Sequence, residues 1–583
     1  MGRTVADQLV GGLIAAGVTR IYGVVGDSLN PVVDAIRRSG GSAKGGLDWV
    51  HMRHEEAAAF AASAEAQTSG RLAVCAGSCG PGNLHLINGI YDAHRSGAPV
   101  LAIAAHIPSA VIGTDYFQET HPDRIFGECS LFNELVFTPE QAPRLFRSAM
   151  QSAIAGSGVA VITLPGDIAA LPAAAPMAPL ALPPRPVITP PAEVIERLAA
   201  AINKAEKVAI FAGYGVRDAH LEVIALADKI GAPIGHSLRG KEFIQHDNPF
   251  DVGMTGLLGY GAAHAGIHDA DLLLLLGTDF PYSQFLPDTV ATAQIDIDAA
   301  KIGRRTAVQI PVHGDVGATL RALTPMVRRK QDREYLTKWL REHQELMARI
   351  VGAYSRDADE LVPIHPEYAA AVLDELAAND AVFTTDTGMC NVWTARYIKP
   401  TGQRKFIASM LHGSMANALP QAIGAQLSDP GRQVISICGD GGLSMLLSEL
   451  VTVAMYQIPV KLVLFDNSSL GMVKAEMLVA GLPDYGVDVP PVNYAAVASA
   501  LGIHARRVTE PKDIRPALRE ALATDGPALV QLITDPHALS IPPMITGQQV
   551  KGFALAMTKI VLNGGVGEAV QIARSNLRNL PGS

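Results

Sequence analysis

The chain has 583 residues, 48% of them hydrophobic and 18% charged, which is enough for three or four domains at roughly 150 residues each. Its net charge of −9 argues against nucleic acid as a partner, because nucleic-acid-binding surfaces are basic. No apolar stretch approaches the roughly 18 residues of a transmembrane helix, and the five scattered cysteines are typical of a reducing cytoplasm.

The first predicted elements are an amphipathic helix and a strand that leads into an alanine-rich helix. Val5–Ala16 has helical periodicity and lacks the basic start and cleavage site of a signal peptide. Further on, a strand through His51 is followed by Glu55 and Glu56 at the start of the next helix. Acidic residues favour helix N-termini, so such a pair is more often solvated than catalytic. On its own, the pattern leaves both interpretations open.

Two stretches divide the chain into segments. Leu171–Pro191 contains eight prolines and almost no charge, which predicts a semi-rigid linker. Val327–Val362 begins with a run of charged residues and predicts a helical connection that reaches Tyr354. The domains are predicted at 1–175, 192–330 and 363–535, with linkers at 176–191 and 331–362 and a tail at 536–583.

Within the three segments, short buried strands alternate with helices. This alternation is typical of doubly wound sheets, so we predict an α/β fold of three mostly parallel-sheet domains with a short C-terminal helical tail. The strand candidates are Arg20–Val25, Leu72–Cys75, Val100–Ala104, Val159–Leu164, Val208–Phe211, Asp271–Leu276, Ala293–Ile297, Ala381–Thr384, Gln433–Cys438, Val460–Phe465 and Ala528–Ile533.

The central segment does not carry the usual dinucleotide-binding fingerprint. Gly213-Tyr214-Gly215 has no third glycine in place, so the G-x-G-x-x-G pattern is not met. Three other turns, at 255–259, 277–282 and 294–298, are predicted at strand ends. An extended dinucleotide can lie across such an edge, although strand-end loops with another ligand are the alternative.

The most informative pattern is Gly439-Asp440-Gly441, with 25 residues between Gly441 and Asn467. A strand precedes Asp440, Leu443–Tyr456 predicts a helix, and a second strand ends before Asn467. A right-handed crossover of this length brings Asp440 and Asn467 together at the carboxyl ends of neighbouring strands. Their oxygens suit Mg²⁺, and the flanking glycines let backbone N–H groups approach a diphosphate. An ordinary strand-end turn is the alternative for the triplet alone.

The spacing resembles the diphosphate-anchoring motif of thiamine diphosphate enzymes. In that family an early glutamate hydrogen-bonds the cofactor's pyrimidine N1′, and we predict Glu55 as this catalytic residue. Longer strings are similar to those of one branch, the bacterial pyruvate dehydrogenases (quinone), also called pyruvate oxidases. They are Ala73–Leu84, Phe117–Pro122, Leu238–Glu242, Asp251–Leu257 and His412–Asn417, and the resemblance extends over nearly the whole chain.

The resemblance implies roles for particular residues. Mg²⁺ would be held by Asp440, Asn467 and the backbone carbonyl of Ser469. The diphosphate would contact Gly441, Gly442, Ser468, Ser469, Leu470, Gly471, Met472 and Val473. The pyrimidine–thiazole junction would contact Gly413, Ser414 and Met415, with Met415 as an apolar wedge. The substrate would face Phe117, Gln118, Met472 and Glu476. FAD would contact Gly256, Leu257, Leu258, Gly259, Asp279, Phe280, Pro281, Tyr282, Ser283, Asp296 and Ile297.

The resemblance also implies an activity. Pyruvate would be oxidised to acetate and CO₂ through thiamine diphosphate and FAD, with the electrons passed to a membrane quinone. The active sites would form between two chains of a dimer or tetramer. The chain departs from the family at Met472, where the family has phenylalanine. The string Leu-Gly-Met-Val around Met472 is shared with acetolactate synthases. Acetolactate synthesis is therefore the alternative. A cofactor-free binding protein is a third hypothesis, against which Glu55, Asp440 and Asn467 together speak.

The C-terminal tail predicts a basic amphipathic helix. Apolar residues recur there at helical spacing, at Val566, Val570, Ala573, Leu577 and Leu580, with Arg574 and Arg578 nearby. Such a helix is compatible with a membrane interface, and a helix folded onto its own protein is the alternative. Because Ile541–Pro543 and Lys551–Phe553 also resemble the family, we predict peripheral lipid contact on the inner face of the cell membrane.

Overall fold

Short runs rich in apolar residues form the central strands of the three sheets in this computed structural model, which describes residues 3–355, 358–538, 554–560, 566–576 and 578. The strands in the middle of each sheet are buried along their whole length, because helices cover both faces. The predicted fold class, three α/β domains with mostly parallel sheets, is confirmed.

The first domain has a six-stranded parallel sheet in the order β2-β1-β3-β4-β6-β5. Its strands are β1 (Arg20–Gly23), β2 (Asp48–His51), β3 (Ala73–Gly77), β4 (Val100–His106), β5 (Phe132–Leu135) and β6 (Val159–Pro165). Its helices are α1 (Val5–Ala15), α2 (Asn30–Ser39), α3 (Glu55–Ser69), α4 (Pro81–Ser96), α5 (Pro122–Ile125), α6 (Ala142–Gly156) and α7 (Gly166–Ala170).

The central domain has a seven-stranded sheet in the order β10-β9-β8-β7-β11-β12-β13, in which β10 is antiparallel to β9. Its strands are β7 (Val208–Ala212), β8 (Ile234–His236), β9 (Asp251–Met254), β10 (Tyr260–Gly261), β11 (Leu272–Leu276), β12 (Ala291–Asp296) and β13 (Ile310–His313). Its helices are α8 (Ala192–Lys204), α9 (His220–Ile230), α10 (Leu238–Ile244), α11 (Ala263–His268) and α12 (Val316–Leu323), and α13 (Glu334–Leu346) follows it.

The third domain has a six-stranded parallel sheet in the order β15-β14-β16-β17-β19-β18. Its strands are β14 (Val382–Thr385), β15 (Lys405–Ala408), β16 (Val434–Gly439), β17 (Lys461–Asp466), β18 (His504–Val508) and β19 (Ala528–Ile533). Its helices are α14 (Pro366–Leu376), α15 (Met389–Tyr397), α16 (Ala418–Ser428), α17 (Asp440–Met445), α18 (Glu449–Tyr456), α19 (Gly471–Val479), α20 (Tyr494–Ala500) and α21 (Ile514–Ala523).

The first and third domains of one chain share a continuous apolar core. Helix α3 packs against α4 and, across the domain boundary, against α16. The α3–α16 contact is very close, since a Cβ on Gly424 would collide with the carbonyl oxygen of Ala61. This interface orients the Glu55 end of α3 relative to the third domain.

Two local predictions were wrong. The helix predicted over Leu443–Tyr456 is interrupted at 446–448, between α17 and α18, and Leu446 there is buried in the core that the first and third domains share. The charged stretch becomes helical only at Glu334. Before that point its side chains bind the central domain, because Arg329 and Arg333 both pair with Asp228, at 2.6 and 3.1 Å.

The described part of the C-terminal tail packs on the third domain. Residues 554–560 and α22 (Val566–Asn576) are helical, and Ile560 and Ile572 form a small core with Leu478 of α19. Among the described helices, none is both long enough and apolar enough to cross a membrane. The predicted positions Leu577 and Leu580, and the strings Ile541–Pro543 and Lys551–Phe553, lie outside the described residues.

Candidate active site

A cavity opens at the carboxyl edge of the third sheet, where β14, β16 and β17 end. The residues that line it come from these strand ends and from the helices that follow them. They are Pro366, Asp386, Thr387, Gly388, Met389, Cys390, Trp393, Met415, Gly439, Asp440, Gly441, Gly442, Phe465, Asn467, Ser469, Leu470, Gly471, Met472, Val473, Thr534, Asp535 and Ala538.

The predicted Mg²⁺ ligands lie together in this cavity. Asp440 is only 3% exposed at the start of α17, and Asn467 directly follows the neighbouring strand β17. Burial and the nearby Asp466 carboxylate raise the pKa of Asp440 to about 7. Within the described structure, Asp440 Oδ2 and Ser469 Oγ are buried without a hydrogen-bond partner. A buried carboxylate beside a second one favours a bound cation, so these residues fit Mg²⁺.

The loop after β17 has a defined shape. Ser468 has a left-handed backbone with φ of 52°, and its N–H donates to Asp466 at 3.1 Å. The Ser469 N–H donates to Asn467 Oδ1 at 3.2 Å, and the Leu470 N–H to the carbonyl of Val487 at 2.7 Å. These bonds direct the loop backbone along the cavity, although Ser468 itself does not line it.

The glycines next to Asp440 keep the cavity open. A Cβ on Gly442 would collide with the carboxylate of Asp386, and one on Gly441 would lie 2.7 Å from Leu470 Cδ2. The same Gly441 Cβ would lie 3.3 Å from Met415 Cε, so the predicted apolar wedge does contact this edge. Only glycine leaves space here for a ligand's phosphates.

The other residues predicted around Met415 lie outside the cavity. Gly413 has φ of 75° and open space around its Cα. The hydroxyl of Ser414 accepts a hydrogen bond at 2.8 Å from the amide of Asn88 in the first domain. Neither Gly413 nor Ser414 is among the described residues that line the cavity.

One wall of the cavity, the loop after β14, was not predicted from the sequence. Asp386 is buried, accepts the Ala418 N–H at 3.0 Å, and has its pKa raised to about 7 by burial. The hydroxyl of Thr387 is buried and has no partner in the described structure. The sequence did contain an indication of this loop, since polar residues and a glycine follow an apolar strand there. In the structure, Gly388 has φ of 136°.

Glu55 lies at the start of α3 and is 7% exposed. Its Oε2 is 2.9 Å from His85 Nδ1, and His85 stacks on His54 with ring centroids 4.4 Å apart. A Cβ on Gly82 would lie 3.0 Å from Glu55 Oε1. The carboxyl is therefore enclosed between the imidazole and the glycine loop that begins α4.

Gln118 lies against the same glycine loop. It has a left-handed backbone with φ of 62°, and its Oε1 accepts a hydrogen bond from the Cys79 thiol at 3.3 Å. A Cβ on Gly80 would lie 2.9 Å from Gln118 Cβ, so the two backbones are in close contact. The neighbouring Phe117 is 79% exposed.

In one chain these first-domain residues are not at the Asp440 cavity. All of the described lining residues fall between 366 and 538, so Glu55, Phe117 and Gln118 are not among them. Met472 lines the cavity, whereas Glu476 is exposed on α19 and does not. A single chain therefore presents two separate groups of predicted site residues.

The predicted dinucleotide residues lie at the carboxyl edge of the central sheet. Gly256 has φ of 114°, and a Cβ on it would lie 2.9 Å from Phe280 Cζ. Asp296 ends β12 and accepts the Asp298 N–H at 2.9 Å, and burial raises its pKa. The exposed residues on this edge are Leu257, Pro281, Tyr282, Ser283 and Ile297.

Three other predicted residues there already have protein partners. The carboxylate of Asp279 pairs with Arg304 at 3.0 Å and with Arg305 at 2.8 Å. Leu258 packs against the core of the third domain, and the Gly259 carbonyl accepts a hydrogen bond from Arg396 at 3.0 Å. The loop 255–259 thus joins the central domain to the third.

Comparison with known proteins assigns all three domains. Profiles of thiamine pyrophosphate (thiamine diphosphate) enzymes match the chain in order: an N-terminal TPP binding domain at 3–125, a central domain at 195–323 and a C-terminal TPP binding domain at 386–532. YdaP of Bacillus subtilis (strain 168), named as a thiamine pyrophosphate-containing protein, is 37% identical over 544 residues, 93% of each chain.

Two kinds of enzyme are similar to the chain at lower identity. The pyruvate oxidase of Lactiplantibacillus plantarum is 29% identical over 530 residues, which cover 89% of this chain and 87% of the relative. The acetolactate synthase isozyme 2 large subunit of Escherichia coli (strain K12) is 31% identical over 545 residues, covering 91% and 95%. Identity alone does not separate these two activities.

Proposed function

The chain belongs to the thiamine pyrophosphate enzymes, and we propose that it oxidises pyruvate to acetate and CO₂ with electrons passed through FAD to a membrane quinone. The observation that carries this proposal is Asp440 Oδ2, which is buried in a glycine-lined cavity at the sheet edge and has no hydrogen-bond partner among the described residues. The family strings quoted above favour the oxidase over its sister activities.

In this proposal the third domain holds the cofactor. Asp440, Asn467 and the carbonyl of Ser469 bind Mg²⁺, and the backbone around Gly441 and Gly442 contacts the diphosphate. When bound, thiamine diphosphate supplies the electron sink for loss of CO₂ from a 2-oxo acid. Asp386 holds the neighbouring backbone in place through the Ala418 N–H.

Glu55 is proposed to hold a proton at N1′ of the cofactor's pyrimidine, with Phe117 and Gln118 facing the substrate. Because Glu55 does not reach the Asp440 cavity of its own chain, we propose that a second copy supplies it. Exposed apolar residues flank both groups and support a shared interface. They are Val25, Leu84, Tyr116 and Phe117 in the first domain and Met445, Val473, Leu482 and Tyr485 in the third.

FAD is proposed to lie along the carboxyl edge of the central sheet. Exposed Leu257, Tyr282 and Ile297 offer an apolar surface there, and ligand sites are lined mostly by apolar and aromatic side chains. The buried Asp296 at the end of β12 is a hydrogen-bond acceptor at the position where ribose hydroxyls bind in open α/β sheets.

Acetolactate synthesis is the second candidate function, and Met472 is the observation that favours it. Met472 lines the cavity within the string Leu-Gly-Met-Val that resembles acetolactate synthases. Methionine is flexible and polarizable, so it also preserves packing where an aromatic ring stands in the oxidases. We therefore expect Met472 to affect electron transfer to the flavin more than it affects cofactor binding.

The deciding experiment is anaerobic mixing of the purified protein, loaded with FAD, with thiamine diphosphate, Mg²⁺ and pyruvate. The oxidase proposal predicts bleaching of the flavin absorbance, which a quinone analogue then reverses. Persistent yellow colour with accumulation of acetolactate would contradict the oxidase and support the synthase. Asp440→Asn should abolish either result, whereas Asp380→Asn, the same change at an exposed position of the third domain, should not.

We also propose peripheral membrane contact through α22, on the inner face of the cell membrane. Val570 and Arg574 are exposed on this helix, as a lipid-binding surface requires. Truncation after Thr546 should reduce liposome binding and quinone turnover. The double variant Val570→Ser, Arg574→Gln keeps the buried Ile572 contact and should also reduce liposome binding and quinone turnover. Unchanged liposome binding in both variants would contradict the proposal.

A further inference from the structure

The connection that presents Glu55 is held by a buried carboxylate from the third domain of the same chain. Glu449 begins α18 and is 0% exposed. Its Oε1 accepts the backbone N–H of Arg53 at 2.9 Å and of His54 at 3.0 Å. Its Oε2 accepts the hydroxyl of Thr452 at 2.7 Å. Both oxygens are thus used, and one of them is bonded to the two residues directly before Glu55.

The other end of α18 binds the same connection. The hydroxyl of Tyr456 accepts the His51 N–H at 2.9 Å and donates to the carbonyl of Trp49 at 3.3 Å. His54 in turn caps α3, because its Nδ1 accepts the Glu56 N–H at 3.2 Å. Helix α18 therefore contacts the connection from the end of β2 to the first turn of α3.

We propose that Glu449 is a positioning residue that sets the place of Glu55 in the active site. A charge-assisted bond to two backbone N–H groups in a buried setting resists displacement more strongly than a neutral one. Oε1 holds Arg53 and His54, and the bond from His54 to Glu56 carries this constraint into α3. The inference rests on the role proposed above for Glu55.

The arrangement links the two groups of site residues within one chain. Asp440 begins α17, and only Leu446–Ser448 separates α17 from Glu449. Buried Leu446 and Leu450 anchor this segment in the core shared by the first and third domains. In the proposed dimer, the segment that binds Mg²⁺ at one active site therefore also positions the Glu55 that serves the other.

The test is Glu449→Gln, which preserves shape and one acceptor oxygen but removes the charge. The matched control is Lys405→Met, which removes a bond of 2.7 Å from the third domain to the carbonyl of Thr68 at the opposite end of α3. In the cofactor-free protein, amide hydrogen exchange over residues 51–56 should become about tenfold faster in Glu449→Gln and stay unchanged in Lys405→Met.

The second measurement is the thiamine diphosphate affinity at saturating Mg²⁺, followed by tryptophan fluorescence, since Trp393 lines the cavity. Glu449→Gln should weaken binding about tenfold, and Tyr456→Phe, at a half-exposed position, should weaken it less. The inference would be overturned if Glu449→Gln and Tyr456→Phe both kept the hydrogen-exchange rates and the thiamine diphosphate affinity of the wild type. The inference would also be overturned if Glu449→Gln and Lys405→Met lost affinity and amide protection equally, because equal losses would indicate a general effect on domain packing.

Glu55→Gln, measured in parallel, separates the inference from the proposed function. If Glu55→Gln retains wild-type turnover and affinity, the role proposed for Glu55 is wrong. If Glu55→Gln is impaired and Glu449→Gln is not, the role of Glu55 stands and only the positioning role of Glu449 is wrong.

Discussion

Gly442 shows how the cavity depends on an atom that is absent from one residue. A Cβ on Gly442 would collide with the carboxylate of Asp386, which accepts the Ala418 N–H at 3.0 Å. Because Asp386 is buried and bonded, it cannot simply rotate away from an added methyl group.

We therefore expect Gly442→Ala to weaken binding of thiamine diphosphate and Mg²⁺ by at least about tenfold, the lower range of the cost of overpacking a rigid site. Isothermal titration calorimetry measures the affinity. The control is Gly431→Ala in the same domain, where an added Cβ would meet nothing within 4 Å. Wild-type affinity in Gly442→Ala would show that the diphosphate does not bind against this glycine.

At the scale of elements, one buried carboxyl joins helices of two domains. Asp92 on α4 is fully buried and accepts hydrogen bonds from Ser63 of α3 at 3.4 Å and from Gln421 of α16 at 3.3 Å. Burial raises the pKa of Asp92 to about 6, from an ordinary value of 3.8. The folded protein thus favours the protonated form, and ionisation of Asp92 costs stability.

The sign of the pH dependence follows from this shift. The contribution of Asp92 is fully present below about pH 4 and is lost as the pH rises through about 6. Between pH 4 and pH 7 the wild type should lose about 2 kcal/mol of unfolding free energy that Asp92→Asn does not lose. Urea unfolding at both pH values measures this, with exposed Asp218→Asn as the control. If the difference in unfolding free energy between the wild type and Asp92→Asn is the same at both pH values, the prediction is contradicted.

At the scale of the whole molecule, the two groups of predicted site residues lie apart within one chain, and the proposed function places each active site between two chains. If Glu55 of one chain serves Asp440 of its partner, a Glu55→Gln subunit paired with an Asp440→Asn subunit contains one intact site and one doubly defective site. Each variant alone should be inactive. An equal mixture after subunit exchange should recover about one quarter of wild-type activity, because half of the dimers are mixed and each has one working site.

The control mixture combines Glu55→Gln subunits with subunits that carry both Glu55→Gln and Asp440→Asn. This mixture should stay inactive. Full inactivity of the first mixture, with heterodimers verified by mass spectrometry, would contradict an active site shared between chains. It would instead require Glu55 to reach the cavity of its own chain through a domain movement.

The strands, the fold class and one part of the site were predictable from the sequence because they depend on neighbours along the chain. Buried runs such as Leu272–Leu276 are apolar at every position since helices cover both faces of the sheet. Strand-turn-helix order likewise brings Asp440 and Asn467 to one edge. Their role as metal ligands stays a prediction.

Only the tertiary structure decided the contacts between distant segments. Glu449 looks like an ordinary helix acid until the first domain is placed against it, and Asp386 is a plain strand-end residue until Gly442 lies beside it. The break between α17 and α18 is also not visible in local helix propensity, and Leu446 at the break is buried in the core shared by two domains. The sequence by itself determined which elements form and in what order, because periodicity and turn chemistry are local. Which side chains meet across domains depends on packing geometry, which no local pattern records.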